Sequence, residues 1–332
     1  MGPPPAPWVV ATGNLAGKSV AEPGVAYLAA KPDEDMLVAG VSDIGLWASE
    51  DGGENWDALG AAAGSLKITH FNTSIVFDPE RPDVFWETGV YNGGGLFQTT
   101  DRGKTFTQLG VGILDKIDYV SPDFSDPERS TMLVGWHEES QKVFRTLDGG
   151  ENWENVGTTV PATCGFSANP LLLDSETYLL GCVKQIARTE DGGDTWKIVS
   201  SAGGYGPPVV ASDGSIYWLI ELGYGLMRST DDGKTWKRMI GEGTIERDRA
   251  LLLELPDGRL ATAGRTEDNA RSVLISDDHG TSWEPIGSEM PYMAGSLVYS
   301  AQQKAFYIST GSPEPRIPEN SIMRMEWDYE TE

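Results

Sequence analysis

The chain has 332 residues, with 25 Lys and Arg against 50 Asp and Glu, a formal net charge of −25, and high Gly (40) and Pro (20). A surface of that sign repels nucleic acid and anionic membranes, and no stretch reaches the about 20 apolar residues a membrane helix needs, so neither DNA, RNA nor a membrane is expected as a partner. Glycine and proline at this level suit many short strands joined by tight turns, and the expected class is all-β.

The first expected strand is residues 8–12 (WVVAT), extended, apolar and without a neighbouring partner. The start that carries it, MGPPPAPWVV, lacks the basic and apolar parts of a secretory leader. From Ser49 a phrase of eight residues begins that returns five times: SEDGGENW, then TTDRGKTF from Thr99, TLDGGENW from Thr146, TEDGGDTW from Thr189, STDDGKTW from Ser229 and SDDHGTSW from Ser276. Its aspartates (Asp51, Asp101, Asp148, Asp191, Asp231 and Asp278) are placed to accept from turn amides, and the glycine two residues on tolerates positive φ. The closing aromatic anchors the turn. Each phrase therefore reads as a structural hairpin turn between two strands.

The aspartates stand 40 to 50 residues apart, the length of one four-stranded propeller blade. The copy at 74–110 is the template, with SIVFDP as inner strand, VFWETGV second, GLFQTT third and TFTQLG outer. Along the chain it gives blades at about 25–60, 74–110, 115–157, 163–200, 206–241 and 248–287. A seventh, at 294–327, has strands GSLVYS, KAFYIS and SIMRMEW but no fourth. Residues 8–12 supply that strand and remove two exposed sheet edges. The expectation is one seven-bladed β-propeller domain over 1–332, four antiparallel strands to a blade, closed by the N-terminal strand. Cys164 and Cys182 are too few for a disulfide framework; simple burial is the default reading and a single bridge within one blade the alternative.

The repeated turns occupy one face, so outer-to-inner connections and second-to-third strand loops occupy the other, where function is expected. Those loops bring His70, Tyr91, Trp136, His137, Tyr224, Arg247, Arg249, Arg265 and Arg316 to one face. Cations and aromatics gathered on so acidic a chain suggest an anionic ligand such as a carboxylated sugar. His70, His137 and Tyr91 are the candidate catalytic groups. Arg247, Arg249, Arg265, Arg316, Trp136 and Tyr224 are the candidate substrate-binding groups. No metal-ligand spacing is present and no cofactor is predicted, with a divalent ion left open. The triplet Asn72-Thr73-Ser74 is a formal glycosylation sequon.

The octapeptide resembles the Asp box, or BNR repeat, of sialidases, sortilin-type receptors and related propellers. LLLELPDGRLATAGR followed by SVLISDDHGTSW resembles the sialidase stretch ending on an arginine that holds a substrate carboxylate, which implies that role for Arg265; the next blade implies it for Arg316. The N-terminal Arg-Ile-Pro of sialidases is absent, Arg249 stands near the place of their glutamate, and seven blades replace six. The resemblance therefore extends to the fold and two arginines.

The function expected from the sequence is cleavage of an acidic, uronic- or sialic-acid-containing glycan. Elimination as in seven-bladed polysaccharide lyases is favoured, because it needs cations over a carboxylate and a base such as His or Tyr. The alternatives are a sialidase-like exo-hydrolase and a non-catalytic binding or assembly propeller, such as the Asp-box factors of photosystem assembly. The expected state is a monomer, secreted or periplasmic with its leader absent from this sequence, or else cytoplasmic.

Overall fold

The recurring phrase makes the same turn six times. The Ser or Thr oxygen accepts from the glycine amide four residues on, at 2.8 to 3.1 Å. The aspartate Oδ1 accepts from the amide four residues beyond it, at 2.8 to 2.9 Å. Donors that a tight turn leaves orphaned are thus satisfied locally. Trp56, Phe106 and Trp196 are buried beneath their turns.

The computed structural model describes residues 5–220, 225–240, 251–311 and 314–331. Its strands form seven antiparallel four-stranded sheets, the blades of a β-propeller. The second blade runs Phe71–Phe77, Phe85–Val90, Gly95–Thr99 and Thr107–Leu109, and the third Ile117–Pro122, Met132–Trp136, Val143–Thr146 and Glu154–Asn155. The seventh has Ser296–Ser300, Ala305–Ser309 and Ile322–Glu326, and its fourth strand is Trp8–Val10, in register through Trp8↔Met325, Val9↔Arg324 and Val10↔Met323. The N-terminal strand therefore takes the place expected for it. Among the described residues no helix is long and apolar enough to cross a membrane.

By packing, the chain falls into two compact units. One holds the first, sixth and seventh blades, with cores that include Leu28, Trp56 and Tyr307, and Phe306, Met325 and Trp327. The other holds nearly all of the second to fifth blades, around Trp86 and Val134, Tyr178 and Leu180, and Trp218. Within the second unit, blades are tied at their turns. Arg145 Nη1 donates to Gly192 O at 2.9 Å and Arg188 Nε to Asp232 O at 3.0 Å, each arginine standing just before one turn and reaching a carbonyl of the next. Arg129, 3% exposed, grips both oxygens of the buried Asp78 at 2.9 Å.

The inner strands of the first four blades share a one-residue bulge, at Ala26, Thr73, Asp118 and position 168. A bulge breaks the two-residue alternation and re-aims the extra side chain. The inner strand of the second blade begins at Phe71, three residues before the expected start at Ser74, and the bulge lies in that added part.

Two cysteine and asparagine expectations resolve here. Cys164 and Cys182 are bonded to each other within the fourth blade, and both are buried. Asn72 is 1% exposed and donates to Glu87 at 2.6 Å, so the sequon that contains it is closed to modification in the folded chain.

Candidate active site

The second and third blades meet at a chain of three titratable groups. Asp118 is the bulged residue of Ile117–Pro122; His137 follows the end of Met132–Trp136; Tyr91 follows Phe85–Val90 with φ of 58°. His137 Nδ1 lies 2.9 and 3.1 Å from the two Asp118 carboxylate oxygens, and its Nε2 lies 2.9 Å from Tyr91 Oη. The two rings meet edge to face, 5.5 Å between centroids. The His137 amide donates to Lys116 O at 2.9 Å, which fixes the loop that carries the ring. Glu138 Oε2 is 3.7 Å from His137 Nε2, on a side chain 68% exposed.

Tyr91 is 52% exposed, whereas the His137 and Asp118 side chains are each 19% exposed. Burial pushes the Asp118 carboxyl up, with the His137 hydrogen bond working against it. The Asp118 hydrogen bond is the first cause holding His137 above the ordinary histidine value, ahead of the opposing effect of burial. The protonated ring then donates from Nδ1 to the carboxylate and from Nε2 to Tyr91 Oη, which leaves the phenol proton free to face solvent. An acid backed by an imidazole that a carboxylate holds is an arrangement that delivers protons at an exposed atom.

His70 belongs elsewhere. It is 1% exposed, packs 5.1 Å from the Phe97 ring and sits 2.8 Å from the buried Glu87. Gly89 leaves the room for it, since a Cβ there would stand 1.9 Å from His70 Cδ2. It is a core histidine, and the expectation that it faces substrate is corrected accordingly. Trp136 is likewise buried, with the Lys142 ammonium 4.5 Å above its ring, and offers no open face for a sugar.

Arg265 and Arg316 lie in the other unit. Arg265 Nη1 donates to Asn269 O at 3.0 Å and to its side-chain oxygen at 3.2 Å, closing its own hairpin. Arg316 is exposed and Nη1 donates to Gly17 O at 3.0 Å. Both guanidiniums therefore hold backbone in this structure. Tyr224, Arg247 and Arg249 lie outside the described residues. Asp118 and Glu87 escaped the loop inventory because both stand inside strands; the only sequence signal for Asp118 is a carboxylate interrupting the apolar run KIDYV.

No protein-family model matches the chain. Among curated relatives it is similar to a probable oligoxyloglucan-reducing end-specific xyloglucanase of Neosartorya fischeri, 21% identical over 79% of the chain and 30% of that protein. It is also similar to a sialidase of Paraclostridium sordellii, 23% identical over 69% of the chain and 58% of that protein. The chain thus spans about a third to three fifths of the length of these relatives. Among solved structures, the Niastella koreensis GH74 enzyme superposes with TM-score 0.64 at 15% identity, over 95% of this chain and 44% of that one. YCF48 bound to D1 peptide superposes with TM-score 0.59 at 15% identity, over 99% and 97%. At these identities the structural likeness establishes the fold.

Proposed function

We propose that this chain is a glycan-cleaving hydrolase domain whose acid is Tyr91, backed by His137 and Asp118. The observation that carries the reading is the continuous Asp118–His137–Tyr91 hydrogen-bond chain, open to solvent at the phenol. Tyr91 gives its proton to the leaving glycosidic oxygen and recovers one from the His137 imidazolium. Glu138, exposed beside them, is the nearby carboxylate that receives the proton of the attacking water.

Hydrolysis is chosen over elimination because the similar curated proteins are named xyloglucanase and sialidase. The substrate is taken to be a neutral glycan. Elimination across a uronate needs cations over the carboxylate, and Arg265 and Arg316 are already bonded to carbonyl oxygens. A chain of charge −25 also repels a polyanion. We read the six turns as Asp boxes, and the Cys164–Cys182 bridge as favouring an oxidising compartment, hence secretion or the periplasm.

The test is incubation of the full chain with xyloglucan, sialylated glycans and polyuronates, following reducing ends and the absorbance of unsaturated uronate. Reducing ends from a neutral glycan, lost in Tyr91→Phe, support the proposal; absorbance gain from a polyuronate replaces it with elimination. A second reading, a non-catalytic binding propeller, is favoured by the match over nearly the whole length of YCF48, a protein seen bound to a peptide. No cleavage of any glycan together with peptide binding would establish that one.

A further inference from the structure

The bulge that aims Asp118 is held from the neighbouring blade. Thr73, the bulged residue of the second blade, donates its hydroxyl to Ile117 O at 2.7 Å. Thr88 donates to Asp118 O at 3.1 Å. The Thr73 and Thr88 hydroxyls also lie 3.0 Å apart, and Thr88 Oγ1 lies 2.6 Å from Ser74 Oγ, so the three hydroxyls form one hydrogen-bonded cluster. The two oxygens that the threonine hydroxyls contact belong to the peptide groups on either side of the Asp118 Cα, where the ladder is interrupted because Asp118 has no partner across the strand pair. Ser74 and Thr88 are fully buried, and Thr88 stands in the strand that leads directly to Tyr91.

One hydroxyl chain therefore links the strand that ends at Tyr91 with the bulge that carries Asp118. An apolar pair of blades can slide by a fraction of an ångström at little cost, whereas directional hydrogen bonds fix registry. In the relay that registry is the Tyr91–His137 distance, because the two rings sit on different blades.

We propose that Thr73, Thr88 and Ser74 are positioning residues, setting the reach between Tyr91 on one blade and the Asp118–His137 pair on the next by pinning the bulge. The geometry stands without the hydrolase reading; only its effect on turnover rests on that reading. The charged and titratable groups around His137 are Asp118, Tyr91, Glu138 and Lys116, and none of them is altered in the test.

The experiment follows the His137 ring nitrogens by 15N NMR in the full chain, through a pH titration. The parent is expected to show a protected Nδ1–H and a titration midpoint above the ordinary histidine value. In Thr73→Val/Thr88→Val the Nδ1–H signal is lost to exchange and the midpoint falls toward that ordinary value; Thr73→Ser/Thr88→Ser restores both. Should the double valine variant not fold, Thr73→Ala alone gives the smaller change in the same direction. Ser229→Ala, which weakens a distant turn of the same unit, leaves His137 unchanged. A folded valine or alanine variant with unaltered His137 signals overturns the proposal, as does a serine pair that behaves like the valine pair. If His137 responds as stated while the parent cleaves no glycan, the positioning role stands and the hydrolase reading falls.

Discussion

At the scale of single residues, the two histidines of the second unit separate by burial. His137 reaches Tyr91 and solvent, so His137→Ala is expected to lower turnover about 100-fold or more, the usual size of general acid–base assistance, with the melting temperature little changed. His70→Ala leaves the buried Glu87 carboxyl with one hydrogen-bond partner fewer, and losing a partner from a buried polar group costs about 1–3 kcal/mol; the folded fraction should keep its activity. Equal activity losses in the two variants would sink the assignment. The pH profile follows from Asp118. His137 acts protonated and its affinity for the proton is raised, so activity falls on an alkaline limb lying above the ordinary value of about 6.5. The same interaction stabilises the fold fully below that unfolded-state value and fades as pH rises through the folded one. Asp118→Asn should move the alkaline limb to lower pH, and an unmoved limb in kcat against pH counts against the relay. Tyr91 and His137 were readable from strand counting, because both fall in loops. Asp118 was hidden, since the bulge shifts the alternation by one residue and no residue type announces a bulge. Arg265 stands at the strand end that the spacing gives it, yet its Nη1 donates to Asn269 oxygens of its own hairpin, which sequence spacing does not reveal.

At the scale of elements, the repeated turn is local chemistry, which is why it could be read almost entirely from the phrase. Asp191 accepts from the Thr195 amide and hydroxyl and from the Thr189 hydroxyl, at 2.5 to 2.9 Å. Asp191→Ala strands those donors in one turn of the fourth blade, so the melting temperature should fall by a few degrees while turnover of the folded protein is retained. Loss of turnover without loss of fold would refute a scaffolding role. The N-terminal strand is the opposite case, a contact spanning about three hundred residues. It was legible only because the seventh blade lacked a strand and residues 8–12 lacked a partner. Beyond the three paired residues, Trp8 Nε1 donates to Ser288 O at 3.1 Å, and Thr12 exchanges hydrogen bonds with Ile322 at 2.9 and 3.2 Å. Deleting residues 1–13 exposes the edge of Ile322–Glu326 and the buried Leu15 region, and a large drop in thermal stability with new concentration-dependent association is expected. A melt and a sedimentation profile identical to the parent's would exclude this closure.

For the whole molecule, charge and turns oppose each other as pH falls. At neutral pH the charge of −25 pushes the fold apart, and protonating surface carboxylates relieves that strain. The six turn aspartates act the other way. Hydrogen bonds hold all six below the ordinary carboxylate range, Asp148, Asp191 and Asp278 down to about 2. A depressed folded value contributes stability that is complete above the unfolded value of about 3.9 and is lost as pH falls through the folded one. Relief of repulsion therefore comes first, as ordinary carboxylates titrate near pH 4 to 5, and loss of the turns follows below. Thermal stability should rise from pH 7 toward about pH 5, then fall steeply between about pH 4 and 2. Salt discriminates the two terms: 0.5 M NaCl should raise the melting temperature at pH 7, where repulsion dominates, and do little at pH 3, where proton uptake by the unfolded chain's aspartates is what removes stability. We further propose that the blades unfold as one domain, because six of the seven carry the same turn chemistry and lose it over one pH range. Tryptophan fluorescence and far-UV circular dichroism followed along one acid titration should then coincide. Two separated transitions would divide the chain at its two packed units, and an unchanged melting temperature at pH 3 would remove the turn carboxylates from the account of stability.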